Sequence, residues 1–388
     1  MSNIRRSFKI KLYPTSKQRK DIEQAIGANR WIWNHFLALR KELYEQKQEH
    51  MNYVQMANML PKLKEDELTS WLSNVSAQSL QQTLKRLDGA FKHFYRRVRE
   101  NPGYPKFKSK KHYLQSITYP QKFRFNINHN KVYIPKIGWV KCKGYREFSN
   151  SKLQQLIVKV YSDGLIEASC SVICENQANI DKTSLSIGLD VGTRKFVTDS
   201  NGNMVKPLNL KKEWNKLKKY QKSLDTTKRG SKNKNKIYNK IRKLYRKIEY
   251  KRNDWLHKLS LKYLQYRYVY IEDLNIKQMV KNTSGTMDNP NYTSRQKTKL
   301  NHQVTQQSWS KFFDILRYKL IDSGSILYKV DPYGTSQECS KCHNIDPYSR
   351  NGEDYTCTKC GYKNDADMNA AKVILYRGDV KQLRVAYL

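Results

Sequence analysis

The sequence has few acidic residues for its length and no long apolar segment. Its 388 residues include 34 aspartates and glutamates against 74 lysines and arginines, a formal net charge of +40. This imbalance excludes an ordinary metabolic-enzyme surface and predicts a polyanionic partner. No apolar run approaches the roughly 18 residues that cross a bilayer, and the opening Met1-Ser-Asn-Ile-Arg-Arg lacks the apolar stretch of a secretory leader. We therefore expect a soluble protein with no membrane partner.

Cysteine is also scarce, with seven residues in the whole chain. A chain of this size with so few cysteines is unlike a disulfide framework, so we expect a reducing compartment, the cytoplasm or nucleoid. Apolar residues make up 38% of the sequence and include 27 tyrosines, which excludes a disordered basic tail. The length predicts two to four structural units with real cores.

Four of the cysteines form two closely spaced pairs. Cys339-Ser-Lys-Cys342 and Cys357-Thr-Lys-Cys360 are separated by fourteen residues. Two such knuckles can surround one Zn²⁺ with four thiolates, which leaves no open position for catalysis, so we predict a structural zinc. Reduced or disulfide-bonded cysteines are one alternative. Haem attachment through Cys339-x-x-Cys-His343 is another, but it leaves the second pair unexplained.

Three acidic residues stand where apolar elements end or begin. Asp190 ends an apolar strand over 185–190, Glu272 follows a strand over 266–271, and Asp367 opens a helix. Carboxylates are the ligands that Mg²⁺ prefers, and converging acids that hold two ions are typical of phosphodiester cleavage. Each acid alone could be a cap, a turn former or a solvated charge. A lone carboxylate beside apolar strands is costly, however, which favours a shared site.

The most basic segment covers residues 211–252, with 18 lysines and arginines against three acids. Apolar residues recur beneath this charge at helical spacing, and a break near Gly230 predicts two amphipathic helices. Contact with phosphates is the simplest reason for such a charge excess. An acidic protein or a membrane surface would explain neither the dispersed acids nor the cysteine pairs.

The spacing of apolar residues divides the chain into regions of different secondary structure. Alternation predicts a strand at 6–13 and two hairpins between 115 and 178, which we interpret as one small β-barrel. A helical region from about 15 to 100 interrupts it, and Thr15 with Gln18 forms a capping box at its start. Residues 278–302 have the polar composition of a loop or lid.

In these residues the sequence resembles TnpB, the RNA-guided nuclease family of small insertion sequences, which is related to the compact type V CRISPR effectors. The resemblance extends over nearly the whole chain through eight matching segments, of which the last four, in their order, are highly specific together. The matching segments are Phe8-Lys-Ile-Lys-Leu-Tyr-Pro, Trp33-Asn-His-Phe-Leu, Gly103-Tyr-Pro-Lys-Phe-Lys, Pro135-Lys-Ile-Gly-Trp-Val-Lys, Gly188-Leu-Asp-Val-Gly, Ile271-Glu-Asp-Leu, Val330-Asp-Pro-Tyr-Gly-Thr-Ser-Gln-Glu-Cys and Asp367-Met-Asn-Ala-Ala.

The resemblance implies a multidomain α+β protein. Its N-terminal wedge β-barrel would carry a helical recognition insertion, and its RNase H-like RuvC nuclease domain would carry an inserted zinc ribbon. The implied bounds are 1–14 and 101–182 for the wedge, 15–100 for the recognition domain, 183–334 and 364–388 for RuvC, and 335–363 for the ribbon, which would bind the target nucleic acid.

The resemblance also implies the site residues and the partners. Asp190, Glu272 and Asp367 would hold two catalytic Mg²⁺ ions, and the four cysteines Cys339, Cys342, Cys357 and Cys360 would hold Zn²⁺. A guide RNA from the end of the insertion sequence would direct a monomeric protein to double-stranded and single-stranded DNA. Tyr53 and Gln81 match the helical region that contacts the motif beside the target.

Two features depart from the family pattern. His343 stands where relatives usually have glycine, so the first knuckle turns differently or His343 competes as a ligand. The chain also ends at Leu388, soon after the last predicted helix. Neither change affects the three acids. A transposase that performs strand transfer, an RNA-guided repressor that does not cleave, and an RNA-binding or structural zinc protein remain as alternatives to the nuclease.

Overall fold

Two sheets of different topology organise this chain. In a computed structural model the chain divides into two compact units, residues 1–176 and 177–388. The described residues are 3–96, 103–110, 114–146, 151–175, 185–280, 301 and 304–386. Most of the predicted loop at 278–302 therefore lies outside the described residues. Within those residues, no helix is both long and apolar enough to cross a membrane.

Seven antiparallel strands form the sheet of the first unit. They are β1 (Asn3–Tyr13), β2 (Leu114–Tyr119), β3 (Arg124–Asn126), β4 (Lys131–Ile134), β5 (Gly138–Lys143), β6 (Lys152–Tyr161) and β7 (Ile166–Glu175). Their order across the sheet is β2-β6-β7-β1-β5-β4-β3. Strand β1 starts three residues earlier than predicted, because Asn3 to Arg5 also pair with the end of β7.

The two predicted hairpins are present, but barrel closure stays a prediction. Strands β3 and β4 form the first hairpin, and β6 with β7 form the second, turning at Gly164 with φ of 88°. Among the described residues, β2 and β3 are the edges of the sheet and do not pair with each other.

Three α-helices follow β1 and precede β2: α1 (Ser16–Lys47), α2 (Tyr53–Glu65) and α3 (Ala77–Tyr95), with a short 3₁₀ helix at Ser70–Asn74. The predicted capping box is confirmed, since the Thr15 hydroxyl accepts a hydrogen bond from the Gln18 amide. Buried Ile22, Phe36 and Leu84 lie in the same apolar core as the sheet. The predicted helical region is thus three helices rather than one block, and the third of them, α3, ends at Tyr95.

The second unit is built on a five-stranded mixed sheet of order β10-β9-β8-β11-β12. Its strands are β8 (Ser186–Asp190), β9 (Val197–Asp199), β10 (Met204–Val205), β11 (Tyr268–Glu272) and β12 (Ile326–Val330). Strand β11 runs parallel to both β8 and β12, while β9 is antiparallel to β8. Because parallel neighbours start and end at the same edges, the carboxyl ends of β8 and β11 coincide.

The helices of this unit whose bounds fall in the described residues include α4 (Lys211–Asp225), α5 (Lys232–Leu261), α6 (Ile276–Met279), α7 (Trp309–Asp322) and α8 (Ala366–Ala386). The two predicted basic helices are α4 and α5, and the side chain of Ser231 caps α5. Helix α5 continues beyond residue 252 because Leu256 and Leu259 are buried in the core that includes β8 and β11.

The four cysteines belong to a small element of the second unit, between β12 and α8. It contains a 3₁₀ helix at Pro347–Ser349 and strands β13 (Arg350–Asn351), β14 (Asp354–Thr356) and β15 (Lys363–Asp365). These strands form an antiparallel sheet in the order β13-β14-β15. Helix α8 begins directly after β15, so this ribbon leads straight into the helix that carries Asp367.

Candidate active site and metal centre

Asp190 and Glu272 lie at the same edge of the second sheet. Leu189 of β8 and Ile271 of β11 are register partners in parallel strands, so the next residue of each strand is an acid. Leu189 and Ile271 themselves are buried in the core of the second unit. The parallel pairing therefore brings together two carboxylates that are 82 positions apart in the sequence.

Helix α8 brings Asp367 to this edge because its backbone packs closely on β8. A Cβ added at Gly188 would lie 2.6 Å from the Leu375 amide nitrogen and closer still to the Ala371 carbonyl oxygen. The glycine of the Gly188-Leu-Asp segment thus permits a helix–strand approach that any side chain would block. Asp367 lies in the first turn of this helix.

We expect Gly188→Ala to destabilise the protein and to weaken divalent-metal binding at the acidic site. The added methyl group would push α8 from β8, at a cost of about 1–3 kcal/mol typical of overpacking. Thermal unfolding and Mn²⁺ titration would measure both effects. Gly89→Ala is a suitable control, because a Cβ there meets no atom within 4 Å and the backbone at Gly89 is not left-handed. A Gly188→Ala variant with unchanged melting temperature and metal affinity would contradict this account of the site.

The three acids interact electrostatically. Burial raises the pKa of Asp190 to about 7, with smaller contributions from the negative charges of Glu272 and Asp367, while Arg350 opposes the shift. Burial also raises the pKa of Glu272, partly offset by a hydrogen bond from Thr335 and by the charge of Arg377. Carboxylates that are costly to ionise without a cation are typical of metal and catalytic sites.

Two cationic side chains contact Asp367. Lys195 Nζ lies 3.3 Å from Asp367 Oδ2, and Arg350 Nη2 lies 3.2 Å from Asp367 Oδ1. Lys195 also lies 2.5 Å from Asp365 Oδ2. The other oxygen of Asp365 accepts hydrogen bonds from the amides of Asp367 and Met368. Asp365 therefore caps α8, and Lys195 and Arg350 hold the Asp367 carboxylate.

The acids approach each other without forming one complete ligand shell. Among the described residues, only the four cysteines form a group of three or more acidic, histidine or cysteine ligand atoms close enough for one ion. The donor chemistry of Asp190, Glu272 and Asp367 still fits a divalent cation, since all offer hard carboxylate oxygens. A bound cation would compensate the charges that now raise the pKa of Asp190.

In EDTA at pH 8, we expect Asp190→Asn to raise the free energy of unfolding, on the order of 1–2 kcal/mol. The folded-state pKa of Asp190 is raised to about 7. The ionisation of Asp190 therefore destabilises the folded protein. This destabilisation grows as the pH rises from about 4 and reaches its full size above about 7. The advantage of the variant should shrink as the pH falls from 8 towards 5. Chemical denaturation at several pH values measures this, with exposed Asp273→Asn as control. An advantage that is constant with pH would exclude the assigned shift.

The four cysteine sulfurs have the spacing of a zinc site. All four Sγ atoms lie within 4.8 Å of one another, with Cys339 and Cys360 at 3.7 Å and Cys342 and Cys357 at 3.6 Å. A tetrahedron with Zn–S bonds of about 2.3 Å requires sulfurs about 3.8 Å apart. No disulfide joins them. The cluster therefore fits the predicted structural zinc and does not fit the disulfide alternative.

His343 is directed away from this cluster. Its backbone is left-handed, with φ of 59°, as is that of Gly361 with φ of 70° after the second cysteine pair. Its Nδ1 lies 2.9 Å from Glu338 Oε1, and its ring stacks on Tyr376 of α8 with centroids 3.7 Å apart. Neither possibility raised by the sequence is seen: the first knuckle has the same left-handed turn as the second, and His343 is not grouped with the sulfurs.

Tyr53 and Gln81 lie on neighbouring helices of the first unit. Tyr53 is the first residue of α2, and Gln81 is exposed on α3. One turn after Gln81, the ammonium of Lys85 lies 5.7 Å from the centre of the Tyr53 ring. The helical packing thus adds Lys85 to this surface. Sequence reasoning missed it, because a lone lysine in so basic a chain carries no local signal.

The contacts of Asp367 were also missed. Lys195 lies five residues after Asp190, and Arg350 lies in β13, far from any acid in the sequence. Their role depends on contacts between distant elements, so neither spacing nor composition could have identified them. The one hint in the sequence was the position of Lys195, shortly after the strand that ends at Asp190.

Comparisons with known proteins agree with this architecture. A family model described as "Probable transposase" matches residues 169–283, and one described as "Cas12f1-like, TNB domain" matches 309–374. A third, described as "Helix-turn-helix domain", matches residues 1–49. Within that last segment the described residues form strand β1 and one long helix, α1, rather than two helices joined by a turn.

Similar proteins and structures extend over nearly the whole chain. An Escherichia coli K12 protein named "Putative RNA-guided DNA endonuclease InsQ" is 30% identical over 96% of this chain and 92% of its own length. A Streptomyces pristinaespiralis relative named "Putative RNA-guided DNA endonuclease" is 27% identical over 97% of this chain and 90% of its own length. The solved Cas12f1–sgRNA–target DNA complex matches 96% of this chain and 98% of that chain, with a TM-score of 0.52 at 14% identity, which indicates a shared fold. By its identity to a relative of matching length, this chain belongs to the TnpB family, which is related to the compact type V CRISPR effectors.

Proposed function

We propose that this protein is an RNA-guided, Mg²⁺-dependent DNA endonuclease that cuts beside a short flanking motif. One observation carries the proposal: at one edge of the second sheet, the negative charges of Glu272 and Asp367 both help to raise the pKa of Asp190. The chain is also similar to relatives named RNA-guided DNA endonucleases. The proposed domains keep the bounds given above. The wedge is 1–14 with 101–182, recognition is 15–100, RuvC is 183–334 with 364–388, and the ribbon is 335–363.

In this proposal the three acids hold two magnesium ions in a RuvC-type site. Bound Mg²⁺ supplies an activated water and stabilises the charge of the leaving oxygen. Thr335 orients Glu272 through the hydrogen bond from its hydroxyl to Oε1. Lys195 and Arg350 hold Asp367 before the metal binds, and their positive charges also favour approach of the scissile phosphate.

The proposed partners are a guide RNA from the end of an insertion sequence and the DNA, double-stranded and single-stranded, with which it pairs. Base pairing would select the sequence, while the protein would recognise the heteroduplex shape and the flanking motif. Helix α5 suits nucleic-acid binding, because Tyr238 and Tyr245 are exposed among its basic side chains. We propose that the protein is monomeric on its RNA and acts in the bacterial cytoplasm, at the nucleoid.

Sequencing the RNA that co-purifies with the full chain, followed by a cleavage assay, tests this function. One defined RNA species with a variable end, and Mg²⁺-dependent cutting of matching DNA, are expected. Random cellular RNA and no cutting would reject the proposal.

A transposase that joins DNA ends is the second candidate, because the matching family model is described as a transposase. The same acids could serve strand transfer. Assays with labelled DNA ends distinguish the two, since strand transfer yields joined products while the proposed nuclease yields only cut ones. RNA-guided binding without cutting in Mg²⁺ would instead indicate a repressor.

We expect Tyr53→Ala and Gln81→Ala to reduce cutting of targets that carry the flanking motif, by about tenfold or more each if they contact bases directly. Binding of the guide RNA should not change. Cleavage of a randomised flanking library would measure the effect. Gln46→Ala, which removes an exposed glutamine from a different helix, α1, is the matched control. Unchanged motif preference in both variants would remove these residues from motif recognition.

A further inference from the structure

A cationic cavity lies in the first unit, between α1, α3, the basic loop at 103–110 and β2. Its volume is about 300 Å³. Three cations from three separate elements line it: Arg30, Arg86 and Lys108. Polar side chains, including Thr83 and Ser116, complete the wall. No carboxylate is among the lining residues within the described part of the chain.

The three cations lack an acidic partner among the described residues. In the part of the chain that the structure describes, none of Arg30, Arg86 and Lys108 forms a salt bridge. Burial, with a smaller contribution from the charge of Arg86, lowers the pKa of Lys108 to about 8. Burial also lowers the pKa of Arg86. Cations held together without an acid are costly, and an anion between them would remove that cost.

Specific contacts hold the basic loop in place. The Asn34 side chain forms two hydrogen bonds with the Lys108 backbone: it accepts one from the amide at 2.8 Å and donates one to the carbonyl at 3.0 Å. The Trp33 indole donates to the Lys106 carbonyl at 3.0 Å. The Lys108 ammonium lies 3.5 Å from the centre of the Trp33 ring. These contacts fix a cation at the cavity, so its position is not that of a freely moving surface lysine.

A second cavity of about 610 Å³ shares Arg30 and Gln115 with the first. It adds Lys20 and Lys110, and its single acid, Glu23, already pairs with Arg19 at 3.9 Å. The positive charge therefore continues past the first cavity. A row of cations of this kind suits a polymer of phosphates better than a single small anion.

We propose that the cavity formed by Arg30, Arg86 and Lys108 binds a backbone phosphate of a polynucleotide, whose strand continues into the neighbouring cavity. Arginine would contact the phosphate oxygens through paired N–H groups, and lysine as a point charge. The assignment rests on the nucleic-acid partner of the proposed function but does not depend on cleavage. It concerns a site in the first unit, whereas the acidic site belongs to the second.

Lysine footprinting of the full chain tests the assignment. The protein would be acetylated at pH 8 alone, with a 20-nucleotide single-stranded RNA, with DNA of the same sequence, or with inorganic phosphate at equal phosphate concentration. Mass spectrometry would follow modification of Lys108 and of Lys131, an exposed lysine on β4 outside both cavities. Protection of Lys108 by RNA or DNA, but not by inorganic phosphate, is expected. Equal protection by free phosphate, or none by either polymer, would overturn the proposal.

Arg86→Gln supplies the second test. Arg86 is only partly buried and keeps a solvent-exposed surface, so the substitution should leave the fold intact. It should abolish protection of Lys108 and lower the slope of log affinity against log salt by about one. Lys131→Gln removes the same charge and should change neither. A loss of the same size in Lys131→Gln would show that only net charge matters. Because binding alone is measured, a protein that binds polymers here without cutting DNA would reject the nuclease and retain this site.

Discussion

Replacing Asp190 with alanine is expected to abolish DNA cleavage while the protein still binds its RNA and target. Asp190 is the acid whose charge is most strongly disfavoured, with a pKa raised to about 7 by burial and by its acidic neighbours. Losing a metal ligand removes several kcal/mol of transition-state stabilisation, so the rate should fall by roughly three orders of magnitude or more. Single-turnover cleavage of labelled DNA measures the rate, and a gel-shift assay measures binding.

Asp273→Ala is the matched control for this experiment. Asp273 follows Glu272 immediately, but its carboxylate is exposed and lies 2.5 Å from Lys329 Nζ. An exposed ion pair of this kind contributes little, so the control should cleave at nearly the normal rate. Cleavage by Asp190→Ala at the normal rate would reject the metal site. If the control were as inactive as Asp190→Ala, the loss could not be assigned to the sheet edge alone.

Replacing Cys357 with serine should release zinc and destabilise the ribbon. Cys357 is buried with Cys339, Tyr355 and Ala366 in the small core of this element. Structural zinc supplies much of the folding free energy of such elements, about 10–16 kcal/mol in isolated peptides. We expect a large fall in zinc content by elemental analysis, together with earlier thermal unfolding. Cys142→Ala, at a buried cysteine outside the cluster, should retain zinc. A well-folded, zinc-free Cys357→Ser protein would show that the knuckles had been misinterpreted.

The ribbon also connects to the acidic site. The Asn369 side chain of α8 accepts a hydrogen bond from the Ser340 amide and donates one to the Glu338 carbonyl. The Ala366 amide donates to the Glu353 carbonyl at 2.8 Å. These bonds fix the first turn of α8 against the ribbon, and that turn carries Asp367. Loss of zinc should therefore weaken Mn²⁺ binding as well, although the acids themselves are unchanged.

Local patterns in the sequence determined the elements of this protein and part of its chemistry. Alternation located β1 and the hairpins, and the capping box located the start of α1. Cysteine spacing predicted the four-sulfur cluster, because each knuckle is a local turn that presents two thiolates. Boundaries were less accurate: β1 begins at Asn3 because it pairs with β7, a contact that no local pattern contains.

Only the tertiary structure decided which distant groups meet. The parallel pairing of β8 with β11 places Asp190 beside Glu272, and the close approach at Gly188 adds the helix that carries Asp367. Lys195 and Arg350 reach that acid through contacts between residues far apart in the chain, and the charge of Arg86 acts on Lys108 from a separate helix. A sequence pattern encodes the faces of helices and strands. The electrostatics of a site depends on distances between those elements, which packing alone fixes.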